Sequence, residues 1–594
     1  MRPFPHAGGR SPLAIAVVLA AAMLGCRGDG SGPRFSVAIP SVDGGGPLDG
    51  RMLVMLSTDS TREPRFQIED ADATQQLFGV DVNGATAGDR VIVGDGAIGY
   101  PRRRLADVPP GDYWVQALLH RYETFHRADG HTVELPMDRG EGQQWNRAPG
   151  NLYSRARKIH VDAKAGTIAL QLDKVIPPIP DEPDTKYVKH VRIRSERLTR
   201  FWGRPMYIGA LVLLPEGWDT HPNVRYPLAV YQGHFEREVS GWRESPPDSS
   251  LPPAKRDSIA VHCPNGHEGD ACTRFGYPRV MQELGWDFYK QWTGPGFPRV
   301  ILVTLQHANP YYDDSYAVNS ENLGPYGDAI MYELIPFIER TYRGIGAGWA
   351  RGTYGGSTGG WEALAVQVMY PDEYNGAYAN CPDPIDFHRF TTVDIYADSN
   401  AYYSSGPWKR TPRPGERDYL GRTRATVEQV NHRELALGTH SRSGGQFDIW
   451  EAVFSPVGPD GYPRRIWNKE TGVIDHDVAS YWRDHYDLVH IMRRDWASLG
   501  PKLRGKIHLN VGLSDNYFLN DAVYLADDFL SSATHPPADA TVDYGMRDEH
   551  CWSGDHSTAN AFSRLTYHSR FIRALARHWV RTAPEGADVR GWRY

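Results

Sequence analysis

The sequence predicts an α/β protein with an all-β sandwich in front of it, and three observations carry that expectation. Beyond residue 190, apolar strand candidates alternate with segments whose apolar residues recur every three or four positions, the pattern of a sheet covered by helices. Between residues 35 and 176 the apolar segments are short, broken by Gly, Pro and Asp, and free of helical periodicity. The proline-rich segment VIPPIPDEPD (175–184) is stiff and extended and separates the two parts. A chain of 594 residues is also too long for one hydrophobic core.

The expected division is a signal peptide over 1–25, a tether over 26–34, the sandwich over 35–176, a linker over 177–190 and the α/β domain over 191–594, with a cap inserted at 385–500. Arg2 and Arg10 precede LAIAVVLAAAML (13–24), whose 12 apolar residues suit the core of an export signal and are too few to span a bilayer. The run ends in Met23-Leu24-Gly25-Cys26, which resembles a bacterial lipobox. That implies an exported chain, in the periplasm or at the cell surface, touching the membrane only through a lipid on Cys26. The flexible GDGSGP that follows suits a tether.

The sandwich is expected from RMLVMLS, RVIVG, DYWVQALLH and TIALQLDKV. In the α/β domain the strand candidates are 207–215, 226–233, 299–306, a short segment ending at Tyr354, 375–381 and 506–512. AIMYELIPFIERTYR (329–343) and TANAFSRLTYHSRFIRALARHW (558–579) carry helical spacing. The segment 385–500 is dense in Tyr and Trp and longer than a crossover needs, which is why it reads as a cap.

Charge excludes one class of partner. With 65 Lys+Arg against 72 Asp+Glu the net charge is −7, and no basic block could neutralise a phosphate backbone, so nucleic acid is not expected. Beyond Cys26, Cys263, Cys272, Cys381 and Cys551 form an even set that an oxidising compartment could pair in three ways. Cys263 and Cys272 with His262 and His267 offer zinc-ligand types without a familiar ligand spacing. No metal and no cofactor are expected.

The chemistry-bearing motif is Gly355-Gly356-Ser357-Thr358-Gly359, a G-x-S-x-G between a strand candidate and the helical WEALAVQVMY. A strand-to-helix turn this sharp strains the serine and exposes its hydroxyl, while the glycines avoid clashes. A serine hydroxyl needs an imidazole base, and the base needs an acid to orient it. Asp515 follows the strand KIHLNVG, with Asp521 and Asp548 as rivals. His550 lies in the loop GMRDEHCWSGDH, with His556 as its rival. The order Ser357, Asp515, His550 is that of α/β-hydrolases. An oxyanion would be met by the Thr358 amide and, from the turn ending YPLAVYQGHF, by the amide of His234 or Phe235.

These residues resemble the esterase family of α/β-hydrolases that includes esterase D, feruloyl and acetylxylan esterases, enterochelin esterases and the mycolyltransferases. The likeness covers about residues 200–580, on ALVLLPEGW, YPLAVYQGH, GPYGDAIMYELIPFIERTYR, GGSTGGWEALAVQVMYPDEYNGAYANCPDP and the Asp and His segments. It implies a Ser357, Asp515, His550 triad and hydrolysis of carbohydrate or phenolic esters. Gln232 departs from the H-G pair of many members, and the 385–500 insertion is longer than theirs. His550-Cys551 is similar to the pairing in feruloyl esterases and tannases, which implies a Cys381–Cys551 disulfide.

Rings in the insertion could stack on sugars or phenolic acids: Tyr396, Tyr402, Tyr403, Trp408, Trp450, Trp467, Tyr481 and Trp482. Asp313 and Asp314 in QHANPYYDDSY are a weak calcium pair, more simply solvated acids. Two other functions fit the same pattern: a surface glycan-binding lipoprotein with an inert hydrolase fold, and acyl transfer to a sugar.

Overall fold

A computed structural model describes residues 32–41, 46–69, 74–162, 164–262 and 274–594. The leader 1–25, Cys26, Cys263, His267 and Cys272 lie outside the described residues. Among the described residues no helix is long and apolar enough to cross a membrane.

The first unit holds two sheets. Arg34–Ala38 lies between Thr167–Gln171, to which it is parallel, and the antiparallel Arg90–Val93. A larger sheet is built on Leu48–Ser57 between Gln76–Ala85 and Gly111–His126. The sheets share a core of Phe35, Val37, Val93 and Leu170 with Met52, Val54, Leu56 and Phe78. Successive side chains on a strand face opposite ways, so Leu53 and Met55 point to the other face, where they pack against Ala436 and Leu437. Burial on both faces explains why RMLVMLS is continuously apolar rather than alternating. Arg51, 1% exposed, secures this contact by donating to the Leu435 (3.2 Å) and Ala436 (3.0 Å) carbonyls and to Asp81 (3.1 Å). Residues 176–185 carry no helix or strand.

The second unit is built on eight strands: β1 (Val188–Ser195), β2 (Met206–Leu213), β3 (Leu228–Gln232), β4 (Ile301–Gln306), β5 (Arg351–Gly356), β6 (Ala377–Asn380), β7 (Ile507–Gly512) and β8 (Thr541–Gly545). Their order is 1-2-4-3-5-6-7-8. β2 runs antiparallel to both β1 and β4, and β3 to β8 are parallel. This is a sheet of α/β-hydrolase type. The central strands, covered on both sides, read as unbroken apolar runs such as Leu-Ala-Val in β3 and Ile-Leu-Val in β4. Because β3 to β8 all point the same way, the loops that follow them converge on one edge.

Three of the helices whose apolar residues join the core of this sheet are α1 (Tyr277–Thr293), α2 (Thr358–Met369) and α3 (Tyr567–Thr582). α2 is buried on every side between the sheet and the helix Leu488–Leu503. The expected helix 558–579 is instead two short turns over Asn560–Thr566 followed by α3, because Thr566 leaves helical geometry (φ −109°, ψ 13°). In the helical run 329–343, Pro336 has no N–H to donate, and the chain passes it through a π-helical turn at Ile330–Leu334.

The insertion is organised around a buried ion cluster. Lys469, 1% exposed, lies 2.8 Å from Asp448 and 3.0 Å from Glu434. Burial disfavours its charge, but the surrounding acids override it and hold its pKa above the ordinary range. Glu434 in turn accepts the Phe447 amide (2.9 Å), fixing the start of the helix Gln446–Phe454.

Candidate active site

Ser357 sits at the end of β5 and opens α2 with φ 59° and ψ −124°, a region that costs a non-glycine residue about 1–3 kcal/mol. The surroundings make the turn possible only for glycine on either side. A Cβ on Gly359 would fall 2.1 Å from the Gln232 carbonyl oxygen, and one on Gly355 would fall 2.4 Å from the Gly359 oxygen. The Ser357 amide is held by the Asn380 carbonyl (3.0 Å) and by the Cys381 sulfur (3.3 Å).

His550 reaches this hydroxyl from the loop after β8. Its Nε2 lies 3.0 Å from Ser357 Oγ and its Nδ1 lies 2.8 Å from Asp515 Oδ2. Asp515, fully buried, follows β7, and its other oxygen accepts the amides of Tyr517 (2.9 Å) and Leu519 (3.2 Å). Asn516 accepts the His550 amide (3.0 Å), Asn560 donates to the His550 carbonyl (2.7 Å), and Tyr517 meets the imidazole edge-on at 4.8 Å. The rivals lie elsewhere: His556 pairs with Asp543 (3.0 Å), Asp521 accepts from Asn520 (2.8 Å), and the Asp548 carbonyl accepts the Ser514 amide (2.9 Å).

The Thr358 amide lies in the first turn of α2, where N–H groups have no intrahelical acceptor. Gly233 and His234, at the end of β3, line the same cavity as Ser357, whereas Phe235 packs against Gly142 of the first unit. The His234 imidazole, 46% exposed, lies 3.2 Å from Asp313 and 3.3 Å from Asp314. Desolvation opposes its charge, but the two carboxylates prevail and raise its pKa. The acids read as a weak calcium pair therefore flank the His234 imidazole. Their ligand atoms and those of His234 lie within 4.8 Å of one another, as do those of Cys381, His550 and Cys551, so either group is tight enough for an ion.

The disulfide implied by the resemblance is not formed: Cys381 and Cys551 are free thiols. Cys381 is spent instead on the Ser357 amide, and Cys551 acts on the histidine beside it. Desolvation disfavours a charged His550, while Cys551 and then Asp515 favour it, and the net effect raises its pKa above the ordinary histidine range.

One site residue escaped the sequence reading. Asp383, in the Cys-Pro-Asp-Pro turn after β6, lies 3.3 Å from Ser357 Oγ on its Oδ1 side. Its Oδ2 accepts from Tyr316 (2.5 Å), Thr358 (3.2 Å) and Gln446 (3.2 Å). Burial raises its pKa. Its place just beyond the strand next to the nucleophile strand was the available signal.

These groups open onto a cavity of about 590 Å³, one wall of which comes from the insertion through Thr391, Gly415, Val430 and Gly444–Phe447. Of the eight rings considered there, Trp450 alone lines it. Tyr402, Trp467 and Trp482 are core, Tyr396, Tyr403 and Tyr481 bind Asp487, Glu428 and Glu321, and Trp408 is 96% exposed. In the same cavity Glu236 Oε2 and the Trp450 indole N–H are buried and without partners, and burial pushes the Glu236 carboxyl up to about 7.

No family model matches the chain, and no curated protein matches it. Among solved structures it is similar to a ferulic acid esterase (14% identity, covering 66% of this chain and 99% of that one, TM-score 0.33). It is also similar to an S-formylglutathione hydrolase from Agrobacterium tumefaciens (10%, 67% and 98%, TM-score 0.30). A third is the fluorophosphonate-binding serine hydrolase FphF of Staphylococcus aureus (12%, 66% and 99%, TM-score 0.31).

Proposed function

We propose that the chain is a serine esterase, cleaving carboxylic esters through an acyl-enzyme on Ser357. The observation that carries this is the unbroken path from Ser357 Oγ through His550 to Asp515, set on a strained turn that opens into a cavity. His550 Nε2 takes the serine proton as Oγ attacks the ester carbon, and Asp515 stabilises the imidazolium. The oxyanion is met by the Thr358 amide and by the amide of His234; each such donor is worth about 3 kcal/mol of barrier. His550 then returns its proton to the departing alcohol. Water, activated by the same imidazole, releases the acid and regenerates Ser357.

The substrate class is a carbohydrate or phenolic ester. Supporting it, the cavity is lined by the aromatic residues Tyr231, Tyr312 and Trp450 and holds two polar atoms without partners, Glu236 Oε2 and the Trp450 N–H, which suit hydroxyl groups beside a flat body. The proposal includes export and a lipid anchor at Cys26, which would place the enzyme among extracellular esters. The test is a panel of acetylated and feruloylated sugars with p-nitrophenyl acetate. Turnover by the wild type and its loss in Ser357→Ala supports the reading; no turnover of any ester by the folded wild type overturns it.

A further inference from the structure

The opposite edge of the main sheet carries a second cavity, of about 760 Å³. It is enclosed by the entry into β4 (Pro295–Arg299), the turn after β2 (Glu216 and Gly217), one face of α3 and residues 592–594. Arg573, Ala576, Arg577 and Val580 of α3 recur at the spacing that puts side chains on one face of a helix. β4 spans six residues, about 20 Å at ~3.3 Å per residue, and Ser357 lies at the opposite edge of the sheet, at the end of the parallel strand β5. This cavity is therefore no part of the ester site.

Its charge is unbalanced. Arg299, Arg573, Arg577 and Arg593 line it against one acid, Glu216, whose carboxylate already accepts from the Tyr187 hydroxyl and Lys186 (3.3 Å). Arg299 spends two of its donors on the Trp292 (2.8 Å) and Gly294 (3.0 Å) carbonyls, and Arg573 reaches the Gln291 side-chain oxygen at 3.5 Å. Two buried donors have no partner: Nε of Arg299, which is 6% exposed, and the indole N–H of Trp592, which is 1% exposed. A buried donor left unmet is costly, and a charged one more so, unless a ligand supplies the acceptor. Apolar surface stands beside these donors. The Arg573 guanidinium lies 4.6 Å from the Phe297 ring, and Tyr594 stacks on His221 at 3.6 Å.

We propose that this cavity binds a small organic oxyanion, a carboxylate or phosphate ester on a planar apolar body. Arg573, Arg577 and Arg593 donate from its rim, with the charge of the buried Arg299 beneath them. A guanidinium offers two parallel N–H groups to such an anion, which fits the preference for Arg over Lys here.

The test is calorimetric titration of full-length Ser357→Ala protein with phenyl phosphate and with benzoate, using benzyl alcohol as the neutral control. Saturable binding of either anion is expected, at least about tenfold tighter than benzyl alcohol. It should weaken by at least about tenfold in Arg573→Gln/Arg577→Gln and fall as salt rises from about 50 to 500 mM. Both positions are partly exposed, so the double variant should fold, and on the wild-type background its ester turnover should stay within about twofold. No saturable binding of either anion, equal binding of benzyl alcohol, or unchanged affinity in the double variant would overturn the proposal.

Discussion

The two edges of the main sheet differ in how their polar groups are met. At the carboxyl edge Ser357, His550 and Asp515 satisfy one another and Asp515 takes two backbone amides besides, while one acceptor, Glu236 Oε2, and one donor, the Trp450 N–H, stay unmet. At the amino edge four arginines face a cavity with one committed acid, and two buried donors stay unmet. The first edge holds a machine assembled by the chain itself, with its cost taken as backbone strain at Ser357. The second has donors in excess, which is the signature of a place awaiting an acceptor. Parallel strands explain why the edges specialise: six loops converge at one end, and only connections and helix ends meet at the other.

The sharpest break in this comparison is removal of the nucleophile. Ser357→Ala should lower kcat by roughly 10⁶-fold with folding intact, measured on an aryl ester against thermal unfolding. Asp515→Asn should cost about 10⁴-fold, because the amide favours the wrong His550 tautomer. Neither change should alter anion binding at the amino edge.

Stability separates the edges differently. Lys469→Met leaves Glu434, Asp448 and Glu451 buried without their cation and should destabilise the protein by about 3–5 kcal/mol, read by denaturant unfolding. Because Glu434 fixes Phe447, the loss should reach the ester cavity first and raise KM for esters.

The smallest expected effects are on pH and on the second carboxylate. Catalysis needs neutral His550, and its pKa is raised, so kcat/KM should climb with pH through a midpoint above the ordinary 6.5. Cys551 favours the charged imidazole, so Cys551→Ala should move that midpoint down. Asp383→Asn keeps shape while removing the carboxylate charge beside Ser357 Oγ, and a change within about tenfold in kcat/KM would mark it as a positioning residue rather than a member of the relay.

Much of the carboxyl edge was legible in the sequence because its chemistry is local. Gly355 and Gly359 announce a turn whose backbone contacts exclude a Cβ at either position, Asp515 follows a strand candidate, and His550 lies in the loop GMRDEHCWSGDH. The strand order was not legible, since pairing β3 with both β4 and β5 is a long-range choice that no spacing encodes. Asp383 hid in a proline turn, and of the eight insertion rings that could stack on a sugar only Trp450 lines the cavity, the others being core, hydrogen-bonded to acids or, at Trp408, exposed. The amino edge left no trace at all: its arginines stand at 299, 573, 577 and 593 and meet only when β4 and α3 pack.

The relay through Ser357 is tested most directly by labelling the folded protein with a fluorophosphonate and mapping the adduct by peptide mass. A single adduct on Ser357, lost in His550→Ala, is the expected result. An adduct on another residue, or ester turnover that persists in Ser357→Ala, would contradict it.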